Sequence, residues 1–430
     1  MKTIKLLSLL TIVGTLVLLY SFSNTTTTSY YEATTKSCEC TPLYTINFND
    51  SIPADSYLYN QDFANCFAWN EFIALNWPAD GSDDFGNPES SSLVAWENYM
   101  TKEVLMPPNG AKPPAWGTKN DLLSAKDSHK RVLTHASKFT SFTDTIVVSE
   151  TGQAAPQDAP NWLGASNGTN LWYEVLVNKD EYDYITNPAH QFYNADKQLS
   201  WVESGNTISL PQGDAYTGVT GAMELKAAWM ELLPNSTIDK SRYKISEAVL
   251  IDPTTGKTKN AEVALIGLHI IHKTKLQPTW VWATFEHVDN APTVGENPHG
   301  FYNLYATDCA DKTMTIPAAY SKTGKEETVT ISCDSLNISP PYYLKNGGPE
   351  PVALQVNRET PIANASRKAN KTMQEAIEKN FPGSVYQYYK LVDVIWSTGP
   401  ILDSEQPANI PLQLKGMQPP SKMANSSMET

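Results

Sequence analysis

The stretch GLHIIHKTKLQPTWVWATFEHVDN, residues 267–290, predicts two buried β-strands joined by a short turn. The first strand belongs to the run AEVALIGLHIIH, residues 261–272, which is apolar on both alternating faces, as in a strand covered on both sides. The second, TWVWATFEHV at residues 279–288, is rich in aromatic and β-branched residues and follows Pro278. This pair of strands predicts the centre of a sheet.

Titratable side chains lie inside these strands, where burial is costly unless they are paired. Side chains on a strand alternate, so His269 and His272 point to opposite faces, and their HxxH spacing is a poor metal signal. We predict no metal site. If the turn is centred at residues 276–277, His269 lies opposite Thr284 and close to Glu286.

A histidine beside a carboxylate suits proton transfer, because the carboxylate raises the pKa of the imidazole and fixes its tautomer. An alternative is a buried, satisfied His–Glu hydrogen bond that only holds two strands together. The candidate catalytic residues are His269, Glu286, His287 and Asp289, and the predicted pocket residues are Trp280, Trp282 and Thr284.

Composition limits the class of protein. The chain has 430 residues, of which 41% are hydrophobic and 18% charged, as in a globular protein. A formal net charge of −14 argues against nucleic-acid binding, because no basic surface is left to contact phosphates. The same charge argues against binding to an anionic membrane surface.

The amino terminus predicts export. MKTIK is a short basic segment, and LLSLLTIVGTLVLLYSF at residues 6–22 is apolar. Residues 1–23 therefore read as a signal peptide or, alternatively, as an N-terminal anchor that tethers the protein to a membrane. We expect a periplasmic or secreted protein, with a membrane-anchored form as the alternative. Residues 24–59 are polar and aromatic and predict a linker or extended arm.

Five cysteines in an exported chain favour two disulfides and a leftover thiol. Cys309 and Cys333 flank two strand-like segments around the turn SKTGKE, and they are the best candidate pair. Either Cys38 or Cys40 could bridge to Cys66.

The remaining pattern predicts a single large α+β domain over residues 60–415, with N-terminal helices packed on a largely antiparallel β-sheet. A polar segment at 116–162 predicts surface loops. The predicted helices are 61–77, 92–106, 170–186, 189–203 and 367–381, and the further strands are 221–233, 243–251 and 385–396.

Several motifs together resemble a family of exported bacterial proteins known as "cytochrome c family protein". They are CFAWNEFIALNWP (66–78), AMELKAAWMEL (222–232), IGLHIIHKTKLQPTWVWATFEHVDNAP (266–292), QVNRETP (355–361) and MANSSMET (423–430). The resemblance follows the chain in order over most of its length after the leader.

The resemblance implies a redox-associated protein with a small-molecule pocket, and a small molecule or a periplasmic redox protein as its partner. In that family the segment similar to MANSSMET leads into a CxxCH motif, which holds a c-type haem. This chain contains no CxxCH, so the residues present cannot attach haem covalently. Residues 416–430 correspond to the tail that leads into the haem-binding segment in relatives. The resemblance brings no catalytic residues with it.

Two other functions fit the sequence. One is a non-catalytic binding module of the cell envelope, because a resemblance does not establish activity. The other is a hydrolase in which Glu286 acts with Asp289 or His287 as an acid–base pair. The sequence leaves open whether the chain is an enzyme.

Overall fold

The computed structural model describes residues 47–118, 130–136, 163–251, 257–318, 321–333, 336, 355–396 and 425–427, with single gaps at 57, 59, 83, 91, 170, 279 and 322. The predicted leader, most of the predicted linker, Cys38 and Cys40 lie outside the described residues. Within the described ranges, no helix is both long and apolar enough to cross a membrane.

The first helix of the described residues is the one that the sequence predicts at 61–77. The side chain of Asn60 caps it by accepting from the backbone N–H groups of Asp62 and Phe63. Pro78 follows its end, where a proline stops a helix. The helices are α1 (Gln61–Leu75), α2 (Lys102–Leu105), α3 (Lys179–Thr186), α4 (Ala195–Glu203) and α5 (Asn364–Asn380), with 3₁₀ turns at Ala95–Asn98, Lys240–Arg242 and Val385–Tyr388.

The strands form one large curled sheet and a separate hairpin. They are β1 (Met100–Thr101), β2 (Arg131–Leu133), β3 (His135–Ala136), β4 (Leu171–Val177), β5 (Met223–Leu232), β6 (Ile245–Ile251), β7 (Thr258–His272), β8 (Val281–His287), β9 (Lys312–Ile316), β10 (Glu327–Ile331) and β11 (Tyr389–Ile395). In the large sheet, neighbouring strands follow the order β1-β4-β5-β7-β6-β2. In addition, β8 pairs with β7, β11 pairs with β8 and β3 pairs with β4. The pairs are antiparallel except β2 with β6. The predicted α+β class is confirmed.

The hairpin of β7 and β8 has the predicted register. His272 pairs with Val281 and His269 with Thr284, so the turn is centred between residues 276 and 277. In this turn Trp280 has a backbone φ of 73°, a left-handed conformation that a bulky residue rarely adopts. The long β7 pairs with β5 on one side and with β6 and then β8 on the other.

The two faces of the sheet differ in chemistry. The first face packs on α1 and α5; there Phe285 of β8 stacks on Phe72 of α1 with ring centroids 4.3 Å apart. Burying aromatic side chains is worth several kcal/mol each, so this layer supplies much of the stability. Because side chains alternate, the second face carries Gly267, His269 and Ile271 of β7 with Trp282, Thr284 and Glu286 of β8.

Three of the predicted helices are wrong in part. The segment 170–186 is the strand β4 followed by the short helix α3, because LWYEVLV has aromatic and β-branched residues buried on both faces. The segment 92–106 divides into a 3₁₀ turn, the two-residue β1 and the short α2. Of the predicted helix 189–203, only α4 is helical.

The prediction of surface loops for 116–162 is wrong at Arg131. Its guanidinium lies in the core on the first face, between the indole rings of Trp96 and Trp229 at 5.0 and 4.6 Å. One Nη atom bonds Glu97 at 2.8 Å and the other bonds Glu174. A buried cation of this kind is stable only because its charge is matched by neighbouring carboxylates.

Cys309 and Cys333 form a disulfide with their Cα atoms 5.8 Å apart, as predicted. The bond joins the two ends of the β9–β10 hairpin. Cys66 is also disulfide-bonded. Its predicted partners, Cys38 and Cys40, lie outside the described residues.

Replacing Arg131 tests the importance of the buried charge network. We expect Arg131→Ala to lower the free energy of unfolding by about 3–5 kcal/mol, because Glu97 and Glu174 would keep their charges in the core without the cation between them. Urea denaturation followed by tryptophan fluorescence measures the change. Lys240→Ala is the control: it removes an exposed ion pair with Glu262 and should cost less than about 1 kcal/mol. Equal effects of the two substitutions would contradict a core role for Arg131.

Candidate functional site

His269 lies in a polar row that crosses three neighbouring strands on the second face. The pairing of β5, β7 and β8 places Lys226 opposite His269 on one side and Thr284 on the other. The hydroxyl of Thr284 lies 2.8 Å from Nδ1 of His269, a hydrogen bond. The imidazole therefore lies opposite Thr284, as the sequence predicts, and is almost fully buried.

The carboxylate of Glu286 is buried on the same face, one row beyond His269. Its Oε2 accepts hydrogen bonds from Nη2 of Arg358 at 2.8 Å, from Nδ2 of Asn290 at 3.4 Å and from the hydroxyl of Ser426. Oε1 has no hydrogen-bond partner among the described residues. The imidazole and the carboxylate share a face, but the charge partner of Glu286 is Arg358.

The second face also holds a piece of the predicted tail. Residues 425–427 are buried there, with the hydroxyl of Ser426 on Glu286 and the carbonyl of Ser427 accepting from the hydroxyl of Tyr173 at 2.8 Å. In the strand register, Ala228 and Gly267 separate Tyr173 from Glu286. Because these two residues have a small side chain or none, no bulky side chain stands between Tyr173 and Glu286 in this register, and the tail contacts both.

His287 is held as a neutral imidazole. Its Nε2 donates to the carbonyl of Arg242 at 3.0 Å, and its Nδ1 accepts from the backbone N–H of Asp289 at 3.2 Å. The ring stacks on Tyr243 with centroids 3.9 Å apart. Burial is the main cause that lowers the pKa of His287 to about 3. Both ring nitrogens are occupied by these structural contacts.

The carboxylate of Asp289 forms an ion pair with Arg242, whose Nη2 lies 2.9 Å from Oδ1 and 2.8 Å from Oδ2. Nδ1 of His287 is 3.8 Å from Oδ2. Since burial keeps that imidazole neutral, the guanidinium is the group that balances the charge of Asp289. Of the four candidate catalytic residues, only His269 and Glu286 lie together on the second face.

The predicted pocket residues separate as well. Trp282 and Thr284 are on the second face, where Trp282 pairs with Ile271 and Ile395 and is half-buried. Trp280 lies in the turn instead, and its ring is 6.0 Å from the ammonium of Lys273. It therefore belongs to the end of the hairpin.

A histidine–carboxylate pair does exist, on the first face, between His272 and Glu71 of α1. Nδ1 of His272 is 2.5 Å from Oε1 of Glu71, and Nε2 is 2.6 Å from the carbonyl oxygen of Thr220. A carbonyl only accepts, so Nε2 carries a proton and a single further proton lies between Nδ1 and the carboxyl. Burial raises the pKa of Glu71, which favours the carboxylic acid. Both side chains are sealed from solvent, so this pair links α1 to the sheet.

Sequence analysis missed this pair because Glu71 and His272 lie 201 residues apart. The signal was present: Glu71 interrupts the apolar run FAWNEFIAL of a helix that is buried on nearly all sides. A carboxyl in such a helix requires a partner from another element.

A polar cleft of about 800 Å³ opens beside Glu286. It lies between α5 and the segment after β8, beside β11, and Arg358 and Lys390 line it. Arg358 thus bonds Glu286 and also lines the cleft. Sequence analysis did not single out either cation.

Across the described ranges, no set of three or more His, Cys, Asp and Glu side chains is arranged to hold a metal ion. His269 and His272 point to opposite faces, as their spacing requires. The chain matches no protein-family model, no curated protein and no solved structure. Support for a function therefore comes from the site geometry and the sequence motifs.

The protonation of the Glu71–His272 pair can be tested with an uncharged isostere. We expect Glu71→Gln to change the free energy of unfolding by less than about 1 kcal/mol, because the amide N–H can donate to Nδ1 as the carboxylic acid does. Glu71→Ala is the comparison, with an expected loss of at least about 2 kcal/mol from the cavity and the unsatisfied imidazole. A loss above about 3 kcal/mol in Glu71→Gln, measured by urea denaturation, would indicate a charged pair instead.

Burial of neutral His287 predicts a pH dependence of stability. The unfolded chain takes up a proton below about pH 6.5, but the folded chain does so only near the lowered pKa of about 3. Stability from this group is therefore fully present above pH 6.5 and is lost as the pH falls through this window, by about 2 kcal/mol at pH 5. Urea midpoints at pH 8 and pH 5 measure it. His287→Gln should flatten the dependence by that amount, whereas His299→Gln, an exposed control, should not. Parallel curves for the wild type and His287→Gln would contradict the assignment.

Proposed function

We propose that this chain is the small-molecule-binding region of an exported, redox-associated protein. The observation that carries the proposal is the position of residues 425–427, which are buried against Tyr173 and Glu286. In the cytochrome c family proteins that the sequence resembles, the segment similar to MANSSMET leads into the haem motif. Residues 425–427 are thus held at Glu286, on the same face as His269 and beside the cleft.

The link between tail and cleft is a single ion pair. Oε2 of Glu286 accepts hydrogen bonds from both the hydroxyl of Ser426 and the guanidinium of Arg358. Arg358 also donates to the carbonyl of Ala291 at 3.1 Å, and its far side lines the cleft. A small molecule in the cleft would therefore be one buried ion pair away from the tail. This arrangement supports a binding region next to a redox centre.

The residues present do not fit a covalent c-type haem. The chain has no CxxCH, and Cys309 and Cys333 are bonded to each other. Cys66 is also part of a disulfide. We therefore derive no chemical step through a haem in this chain, and its proposed part is to bind and to position.

A non-catalytic binding module of the cell envelope is the second candidate. The same cleft favours it, because a cavity lined by charged groups can bind a molecule without changing it. The hydrolase alternative has less support: Glu286 is fully buried and its charge is balanced by Arg358, so it is poorly suited to act as a general base.

Reading the coding sequence beyond codon 430 tests the redox part of the proposal. We expect the reading frame to continue into a CxxCH motif, and the protein expressed from the continued frame to show the absorption bands of a c-type haem. The present chain, expressed alone, is the control and should lack those bands. A natural stop codon after Thr430 with no haem protein encoded beside it would contradict the redox assignment and would leave the binding module.

A further inference from the structure

The cleft beside Glu286 has walls of different origin. The helix α5 provides one wall with Arg367, Lys371 and Glu375, and the segment after β8 provides the opposite wall with Asp289. Lys390 of β11 lies at the floor. A volume of about 800 Å³ is in the range of sites that bind small molecules.

Most of the charges around the cleft already have partners. At the floor, Arg358 is paired with Glu286 at 2.8 Å. At the wall, Asp289 is paired with Arg242 at 2.8 Å. These pairs are buried or partly buried, so their charges cancel locally and leave no net charge for a ligand to meet.

The rim charges contribute less. On the exposed surface of α5, Lys371 and Glu375 are 3.9 Å apart and neutralise each other. Glu296, which is also exposed, accepts from the backbone N–H of Thr293 at 2.9 Å. Water and salt screen such surface groups strongly. The electrostatics at the bottom of the cleft are therefore set by the floor.

Lys390 is the exception at the floor. Its ammonium donates to the carbonyl of Val288 at 3.2 Å, and among the described residues no carboxylate lies within ion-pair distance of it. Burial, and then the positive charge of Arg358, lowers the pKa of Lys390 to about 8, while the charges of Glu286, Glu296 and Asp289 act in the opposite direction; the amine is still mainly protonated at neutral pH. Two of its three N–H groups remain for a ligand.

The floor thus presents a primary ammonium, with no carboxylate of the described residues in ion-pair contact with it, inside a concave polar cavity. We propose that the cleft binds a small organic molecule through a carboxylate group, with Lys390 as the charge partner. A single ammonium matches a monoanionic carboxylate better than a phosphate, which carries closer to two negative charges at neutral pH. The inference rests on the small-molecule part of the proposed function and is independent of its redox part.

Isothermal titration calorimetry on the full chain tests the proposal. The probes are acetate, butyrate and benzoate, each compared with its amide (acetamide, butyramide, benzamide), together with inorganic phosphate. We expect at least one carboxylate to bind and its amide to bind at least about tenfold more weakly, because the amide lacks the charge. Binding should also weaken as the pH rises above the pKa of about 8, since the ammonium is then lost.

Substitutions at two lysines, one at the floor and one on α5 outside the cleft, locate the site. Lys390→Met should reduce the affinity for that carboxylate by about tenfold or more, and Lys379→Met, which removes an exposed charge of α5 away from the cleft lining, should leave it unchanged. Lys390→Gln keeps a polar side chain and should show the same loss, which guards against a folding defect in the methionine variant. Unchanged thermal unfolding of each variant establishes that it is folded.

Several results would overturn the proposal: no carboxylate binds at millimolar concentration, phosphate binds more tightly than every carboxylate, an amide binds as well as its acid, or Lys390→Met binds like the wild type. None of these outcomes depends on a haem. A failure here leaves the reading frame beyond codon 430 as an independent test of the redox assignment, and a stop codon there leaves carboxylate binding unaffected.

Discussion

The ion pair of Glu286 and Arg358 connects three parts of the molecule that are far apart in sequence. Its partners are 72 residues apart, and Ser426, which bonds the same carboxylate, is 140 residues from Glu286. Removing one member would leave a charge in the protein interior, which costs far more than the pair contributes as a contact. Residues 425–427 and the floor of the cleft both contact this pair.

The same rule governs the rest of the sheet. On the first face Arg131 is matched by Glu97 and Glu174 between two indole rings, and His272 shares a proton with Glu71. Each partner comes from a different element, so these buried pairs tie a strand to a helix, to a 3₁₀ turn or to another strand. Such pairs stabilise the fold less than apolar packing of the same volume would. They do discriminate strongly against other packings of the chain, because a wrong packing leaves a buried charge without its partner.

Several buried polar atoms have no hydrogen-bond partner among the described residues, and two of the incompletely matched groups lie beside the cleft. Oε1 of Glu286 is one of these atoms, and the ammonium of Lys390 donates only to the carbonyl of Val288 at 3.2 Å. Buried polar atoms without partners are rare and usually mark a water, an ion or a ligand. Lys390 is the direct cross-strand neighbour of Glu286, and Arg358 bonds Glu286 and lines the same cleft, so the proposed binding site and the docked tail share these side chains.

Local patterns in the sequence predicted the α+β class, α1, α5, the register of the β7–β8 hairpin and the disulfide of Cys309 and Cys333. These features could be predicted because strand alternation, capping and turn length are properties of neighbouring residues. These patterns predicted that His269 faces Thr284 for the same reason. They failed at β4, where burial on both faces erased the alternation, and at Arg131, which looked like a surface residue. Only the tertiary structure decided that Glu286 meets Arg358 and that His272 meets Glu71, since which distant charge enters the interior depends on how the layers pack and not on any local spacing.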